Sequence, residues 1–248
     1  TVNREDISMR AKAEQAARAF ADRHFPGAEA VFLGGSAASG QLNERSDLDL
    51  LIVDESVFFP YYECFASDGW QIDAFVFSSA NYYPYFEACS QTGIPTLLRL
   101  CAEGVLIRDG GAGERYRREA AERLAAGPDP WTDDDKNRSR HMISENLYDL
   151  ESSRNFLETA FVVQAVCMEA ARFALRTGGH WIGEGKWLAR ELQRSAPEFY
   201  GELCAALAAY HEHRRIEPLI AAVDKLLEPH GGRLIEGYAA FGVLPGDG

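Results

Sequence analysis

Lysine is scarce in this chain. Only Lys12, Lys136, Lys186 and Lys225 occur in 248 residues, and acidic residues outnumber basic ones 38 to 25. The resulting formal net charge of -13 repels a phosphate backbone, which argues against a nucleic-acid acceptor and favours a cationic small molecule. Cysteine is sparse too. Cys64, Cys89, Cys101, Cys167 and Cys204 are odd in number and none stand in Cys-x-x-Cys spacing, so free thiols in a reducing compartment are expected rather than a disulfide framework or a zinc site. No apolar run approaches the roughly 20 residues of a membrane span. The first residues, Thr1-Val2-Asn3-Arg4-Glu5, carry no signal-peptide core, so a cytoplasmic protein is expected. No internal repeat or low-complexity stretch is present.

What the chain does contain is ample material for a core, with 46% hydrophobic residues, enough for one large domain or two small ones. Apolar residues at Ile7, Ala13, Ala17, Phe20 and Ala21 predict a helix from about Glu5 to Phe25, stopped by Pro26-Gly27. Short apolar runs predict strands at 30–33, 48–53, 71–77 and 104–108, interleaved with a helical region near 81–103 and a helix at 114–126. That alternation reads as an α/β unit with a mixed sheet, residues 1–127. Gly127-Pro128-Asp129-Pro130 cannot continue a helix and marks a linker. Beyond it, residues 131–248 read as an all-α bundle. Thr132-x-x-Asp135 resembles a capping box, a long helical stretch breaks near 152–155, and further helices are expected near 185–195, 198–212 and 215–228.

The chemistry is concentrated in the first unit. Leu33 runs into Gly34-Gly35-Ser36, and Asp47-Leu48-Asp49 then opens an apolar strand. Alternate side chains on a strand share a face about 6.5–7 Å apart, so Asp47 and Asp49 point one way while Leu48, Leu50 and Ile52 anchor the core. Asp73, between Ile72 and Ala74, has the same setting, and it would supply a third oxygen ligand if the two strands are neighbours. Two magnesium ions about 3.5–4 Å apart suit such a set of carboxylates. A Gly-Gly-Ser turn brings backbone N–H groups to phosphate oxygens, helped by the N-terminus of a following helix. The competing reading of each part is ordinary: a solvated Asp-x-Asp at a strand start, and a simple turn.

Together LGGSAASGQLNERSDLDLLIV and the later QIDAFVF resemble the signature of the DNA polymerase β-like nucleotidyltransferase superfamily. In style the match is similar to the small bacterial kanamycin and lincosamide nucleotidyltransferases, over about residues 28–110. The resemblance implies that Asp47, Asp49 and Asp73 bind two Mg2+ ions and act in catalysis. It also implies that Gly35 and Ser36 contact the triphosphate of ATP or another NTP, and that a small-molecule hydroxyl receives the nucleotide. A homodimer is consistent with those relatives. Ala37, Ala38 and Ser39 depart from the pattern, because many relatives carry arginines there; Arg45 is the nearest arginine in sequence.

The second half offers fewer candidates. In related two-domain enzymes a lysine of the helical domain reaches the triphosphate, and Lys186, in Gly183-Glu184-Gly185-Lys186-Trp187, is the candidate here. Glu145 lies where an acid could assist deprotonation of the acceptor, against the plain reading of a solvated helical glutamate. Arg176…His180 is one residue short of the spacing in HEPN ribonucleases, and His211-Glu212-His213 has Arg215 where a zinc protease needs its second histidine. The aromatic stretches 58–62 and 82–86 are read first as core, with a wall for a base or acceptor as the alternative. The expected activity is therefore transfer of a nucleoside monophosphate, AMP from ATP, to a hydroxyl in a cleft between the halves. An aminoglycoside-like acceptor comes first. The rivals are an antitoxin-like binding protein with little or no turnover and a protein-AMPylating enzyme.

Overall fold

The structure, a computed structural model, describes residues 4–39, 42–43 and 46–239, the side chains of 4–8 and 39 excepted. The chain divides into two compact units, Thr1–Pro128 and Asp129–Gly248.

The first unit opens with α1 (Arg4–His24), followed by β1 (Ala30–Leu33), α2 (Gly35–Ser39) and β2 (Leu48–Val53). Then come β3 (Tyr61–Ser67), β4 (Trp70–Phe77), α3 (Tyr83–Thr92), α4 (Thr96–Ala102), β5 (Val105–Asp109) and α5 (Gly113–Ala126). Among the described residues the strands form one mixed sheet of five, in the order β3-β4-β2-β1-β5. β2 and β4 are parallel and the other neighbours antiparallel. α1 covers one face. Its Ala13, Ala16, Ala17, Phe20 and Ala21 are buried against Val31, Leu33, Leu48, Leu50, Ile52, Ile72, Ala74 and Val76, and the run of alanines lets the helix lie close to the strands. The helix is tied to β5 by Arg18, which donates to the Ile107 carbonyl, and by Arg108, which donates to the Phe25 carbonyl at 2.6 Å and pairs with Asp22. The opposite sheet face is buried in part under α4, whose Leu98, Leu100 and Cys101 are in the core. Both faces being covered explains why Leu51 and Val53 are as buried as Leu50 and Ile52.

Two expectations are corrected. The helical region 81–103 is two helices, because Gly93 (φ 76°) ends α3 in the left-handed conformation, its N–H bonded to Cys89 O at 2.9 Å. The aromatic stretch 58–62 is not core: Phe58 and Phe59 are 91% and 79% exposed, and Tyr61 and Tyr62 begin the edge strand β3. Of 82–86, Tyr82 and Phe86 are buried while Tyr83 and Tyr85 are exposed.

The second unit holds α6 (Asp133–Ser152), α7 (Phe156–Thr177), α8 (Lys186–Ser195), α9 (Pro197–His213) and α10 (Glu217–Leu227), and among its described residues there is no strand. Ile143, Leu147, Val163, Val166, Ala170, Phe173, Leu192, Leu203, Ala206, Leu219 and Val223 repeat at helical spacing and are buried. Asn155 caps α7, its side-chain oxygen accepting from Leu157 N and Glu158 N, so the break at 152–155 is a cap and not merely a polar gap. The capping box at α6 forms: Asp135 N donates to Thr132 Oγ1 at 3.1 Å, and Thr132 N donates to Asp135 Oδ2 at 2.9 Å.

The Thr132 hydroxyl also donates to Asp135 Oδ2 at 2.6 Å, and this bond holds the Asp135 carboxyl below its usual range. A depressed carboxyl contributes stability above its unfolded pKa and loses it as pH falls through the folded value. Thr132→Ala should cost about 1 kcal/mol at neutral pH. The difference from wild type should shrink on acidification below about pH 4, as read by urea denaturation at stepped pH; an unchanged difference at acid pH would refute the linkage.

Candidate functional site

The glycine turn and the carboxylates are held together by backbone. Gly34 N donates to Asp49 O at 2.9 Å, so the turn leaving β1 is bonded to the strand that carries the acid. A side chain at Gly34 would meet Leu100 Cδ2 at 2.2 Å, since α4 packs directly beneath it. Gly35 is more constrained. Its φ is +60°, and a Cβ there would lie 1.8 Å from Asp49 Oδ2. Glycine is thus required twice over at position 35, by the left-handed backbone and by a carboxylate that occupies the side-chain volume.

Asp47 immediately precedes β2, and Asp49 is its second residue. In the parallel pairing of β2 with β4, Asp49 is opposite Asp73. All three acids are half-buried, and one carboxylate oxygen from each lies within 4.8 Å of the others. The sequence-based expectation that Asp47, Asp49 and Asp73 converge is matched by this geometry. Three anionic groups this close repel one another, and such a set of hard oxygen ligands fits a divalent cation.

The remaining expected residues fall as follows. Gly35 and Ser36 begin α2 beside Asp49. At five residues α2 is too short to supply the full dipole of a longer helix. Ala37 is buried in the α1–sheet core, which explains why no arginine stands there. Arg45 lies outside the described residues. Lys186 is the exposed first residue of α8 in the other unit. Glu145 is exposed on α6, 3.4 Å from His141 Nε2, while His141 Nδ1 donates to the Leu234 carbonyl and its ring stacks on Tyr238 at 4.0 Å. Arg176 is structural: it is buried, donates to Asp129 O at 2.6 Å and lies over Trp131, and burial lowers its pKa.

Sequence reading missed the far side of Asp73. Cys64 on β3 is opposite Asp73, and Tyr62 is opposite Phe75. Tyr62 OH is 2.9 Å from Cys64 Sγ, and its pKa is raised by that hydrogen bond, then by burial and by the charge of Asp73. Gln71 Nε2 donates to Asp73 Oδ1 at 3.4 Å. The signal was present in Asp68-Gly69. Both have positive φ (51° and 82°) and make a two-residue hairpin turn, and counting back from it fixes Cys64 beside Asp73.

No family model matches this sequence, and no curated protein does. Among solved structures, the nucleotidyltransferase-like protein from Exiguobacterium sibiricum 255-15 is similar at 13% identity, over 87% of this chain and 74% of that one, with a TM-score of 0.48.

Gly35→Ala and Asp49→Asn should each weaken Mn2+ binding by about tenfold or more, the range lost with outer-shell partners of metal sites, while circular dichroism stays unchanged. Isothermal titration with Mn2+ checks this; wild-type affinity in a folded Gly35→Ala protein would contradict the placement of the glycine.

Proposed function

We propose that this chain is a metal-dependent nucleotidyltransferase that moves a nucleoside monophosphate, AMP from ATP, onto a hydroxyl of a small acceptor. The observation that carries the reading is the convergence of the Asp47, Asp49 and Asp73 carboxylates, with Asp49 packed against Gly35. The motif resemblance adds to it. Asp47 and Asp49 would hold a pair of Mg2+ ions, with Asp73 as the third ligand. When bound, those ions supply neutralisation of the phosphate charge during displacement.

The chain's own part is positioning. Gly35 and Ser36 present backbone N–H and hydroxyl groups to the triphosphate, and Lys186 is the proposed cation for it. Asp73 accepts the hydrogen bond of the attacking hydroxyl and takes its proton. The hydroxyl oxygen bonds to the α-phosphorus as the bond from that phosphorus to the β-phosphate oxygen breaks, and pyrophosphate leaves. The net charge of -13 favours a cationic acceptor, with an aminoglycoside first among candidates.

A second reading has its own observation. α2 carries no basic residue, which favours a regulatory protein that binds nucleotide and turns over little. Pyrophosphate release from ATP and Mg2+ with a panel of hydroxyl acceptors separates the two. The enzyme reading expects turnover that falls at least about a hundredfold in Asp49→Asn, more than outer-shell losses, and a higher KM for ATP in Lys186→Ala. Equal rates in wild type and Asp49→Asn would refute it.

A further inference from the structure

The carboxylate face of the sheet continues past Asp73 into a second, aromatic surface. Across the strands the order is the Gly35 turn, Asp49, Asp73 and Cys64, with neighbouring strands about 4.8 Å apart. One pleat further along lie Phe75 and Tyr62, with ring centroids 4.9 Å apart, and then Phe77 with Tyr85 edge-on at 5.1 Å. Tyr62 and Tyr85 are 52% and 43% exposed. Open aromatic side chains such as Tyr62 on the edge strand β3 and Tyr85 on α3 cost solvation, and here they adjoin the carboxylates. The thiol of Cys64 is exposed beside them. Neither β3 nor β4 contains a lysine or arginine.

We infer that this edge is the acceptor subsite: Tyr62 and Phe75 take the flat face of a neutral or cationic ring compound, whose hydroxyl is directed at Asp73. The inference rests on the transfer reading above and deepens it. In-line displacement puts the attacking and leaving oxygens on opposite sides of the phosphorus. The phosphate-holding turn is on the Asp49 side, so the attacker enters from the Asp73 side, where β3 and β4 form the floor. Rings stack on exposed aromatics, and a cationic group gains further from the ring faces. The absence of basic residues on both strands disfavours a phosphorylated acceptor. Tyr62 OH, reaching back toward Cys64 and Asp73, is placed to hydrogen-bond the same hydroxyl, which makes Tyr62 a specificity-determining residue.

Two sources share this chemistry, an aminosugar ring and an aromatic ring. The test therefore uses kanamycin and 4-methylumbelliferone as ring probes and glycerol as an acyclic one, each titrated into protein with Mg2+ and a non-hydrolysable ATP analogue. At least one ring probe should bind, glycerol should not compete, and Tyr62→Ala and Phe75→Ala should each weaken the ring probe about tenfold without changing nucleotide affinity. Tyr62→Phe keeps the ring and should retain most of the binding. In a Cys204→Ser background, N-ethylmaleimide should label Cys64, the ring probe should protect it, and labelled protein should still bind nucleotide.

Failure of both rings to bind while nucleotide binds, unchanged ring affinity in both variants, or glycerol serving equally well would each overturn the subsite and leave the transfer reading intact. Self-association that is lost in Tyr62→Ala, with ring affinity unchanged, would reassign the shelf to a contact between copies. Loss of nucleotide binding and turnover in wild type would instead remove the transfer reading, and the subsite with it.

Discussion

The constraint on which the site depends is the contact between Gly35 and the Asp49 carboxylate. The backbone of the turn occupies space that any side chain would need, and Asp49 Oδ2 fills the remainder. The turn is fixed from below by Leu100 and from the side by the Gly34–Asp49 backbone hydrogen bond. Asp49 in turn is fixed by its strand, which cannot shift by one residue without sending Leu48, Leu50 and Ile52 out of the core. A carboxylate cluster that is electrostatically unfavourable on its own is thus imposed by hydrophobic burial elsewhere, and that is the condition under which a bound cation becomes favourable.

The same register argument spreads across the sheet. Because β2 and β4 are parallel with Asp49 opposite Asp73, the alternate residues Leu48, Leu50, Ile52, Ile72, Ala74 and Val76 all pack in the core with α1. Because β3 is joined to β4 by the tight Asp68-Gly69 turn, Cys64 and Tyr62 inherit positions on the acidic face. The sheet therefore has a glycine-turn side and an edge side, ordered along one row of strand pairs. In the second unit the polar contacts serve the fold itself. Thr132 and Asn155 start helices, Arg176 binds the Asp129 carbonyl, and Arg233 pairs with Asp224 and Glu151 to hold the segment after α10.

Much of this was legible in the residues. The helix at 4–24, the strands at 48–53 and 70–77 and the helical second half all follow from periodicity and capping signals, because each of those segments buries one continuous face. The strand at 61–67 was not legible from its apolar pattern. It is an exposed edge on which only Phe65 packs against the core and Ser67 is buried, too little to impose alternation, and its aromatics looked like core. The break at Gly93 was hidden for a related reason: Ile94 and the leucines after it keep the apolar content high while the backbone reverses.

By itself the sequence determined which residues are candidates for the site, since Gly-Gly-Ser, Asp-x-Asp and a later apolar-flanked aspartate are local patterns. It also determined that Asp49 points away from Leu48 and Leu50, because strand alternation is a property of the backbone alone. Only the tertiary structure decided that Asp73 joins them and that Gly35 rests on Asp49. Only it decided that Tyr62, Cys64 and Phe75 stand on the same face, since these depend on which strands pair and in what register. Pairing is chosen by the burial of whole sheet faces against α1 and α4, a sum over many distant side chains that no single motif records.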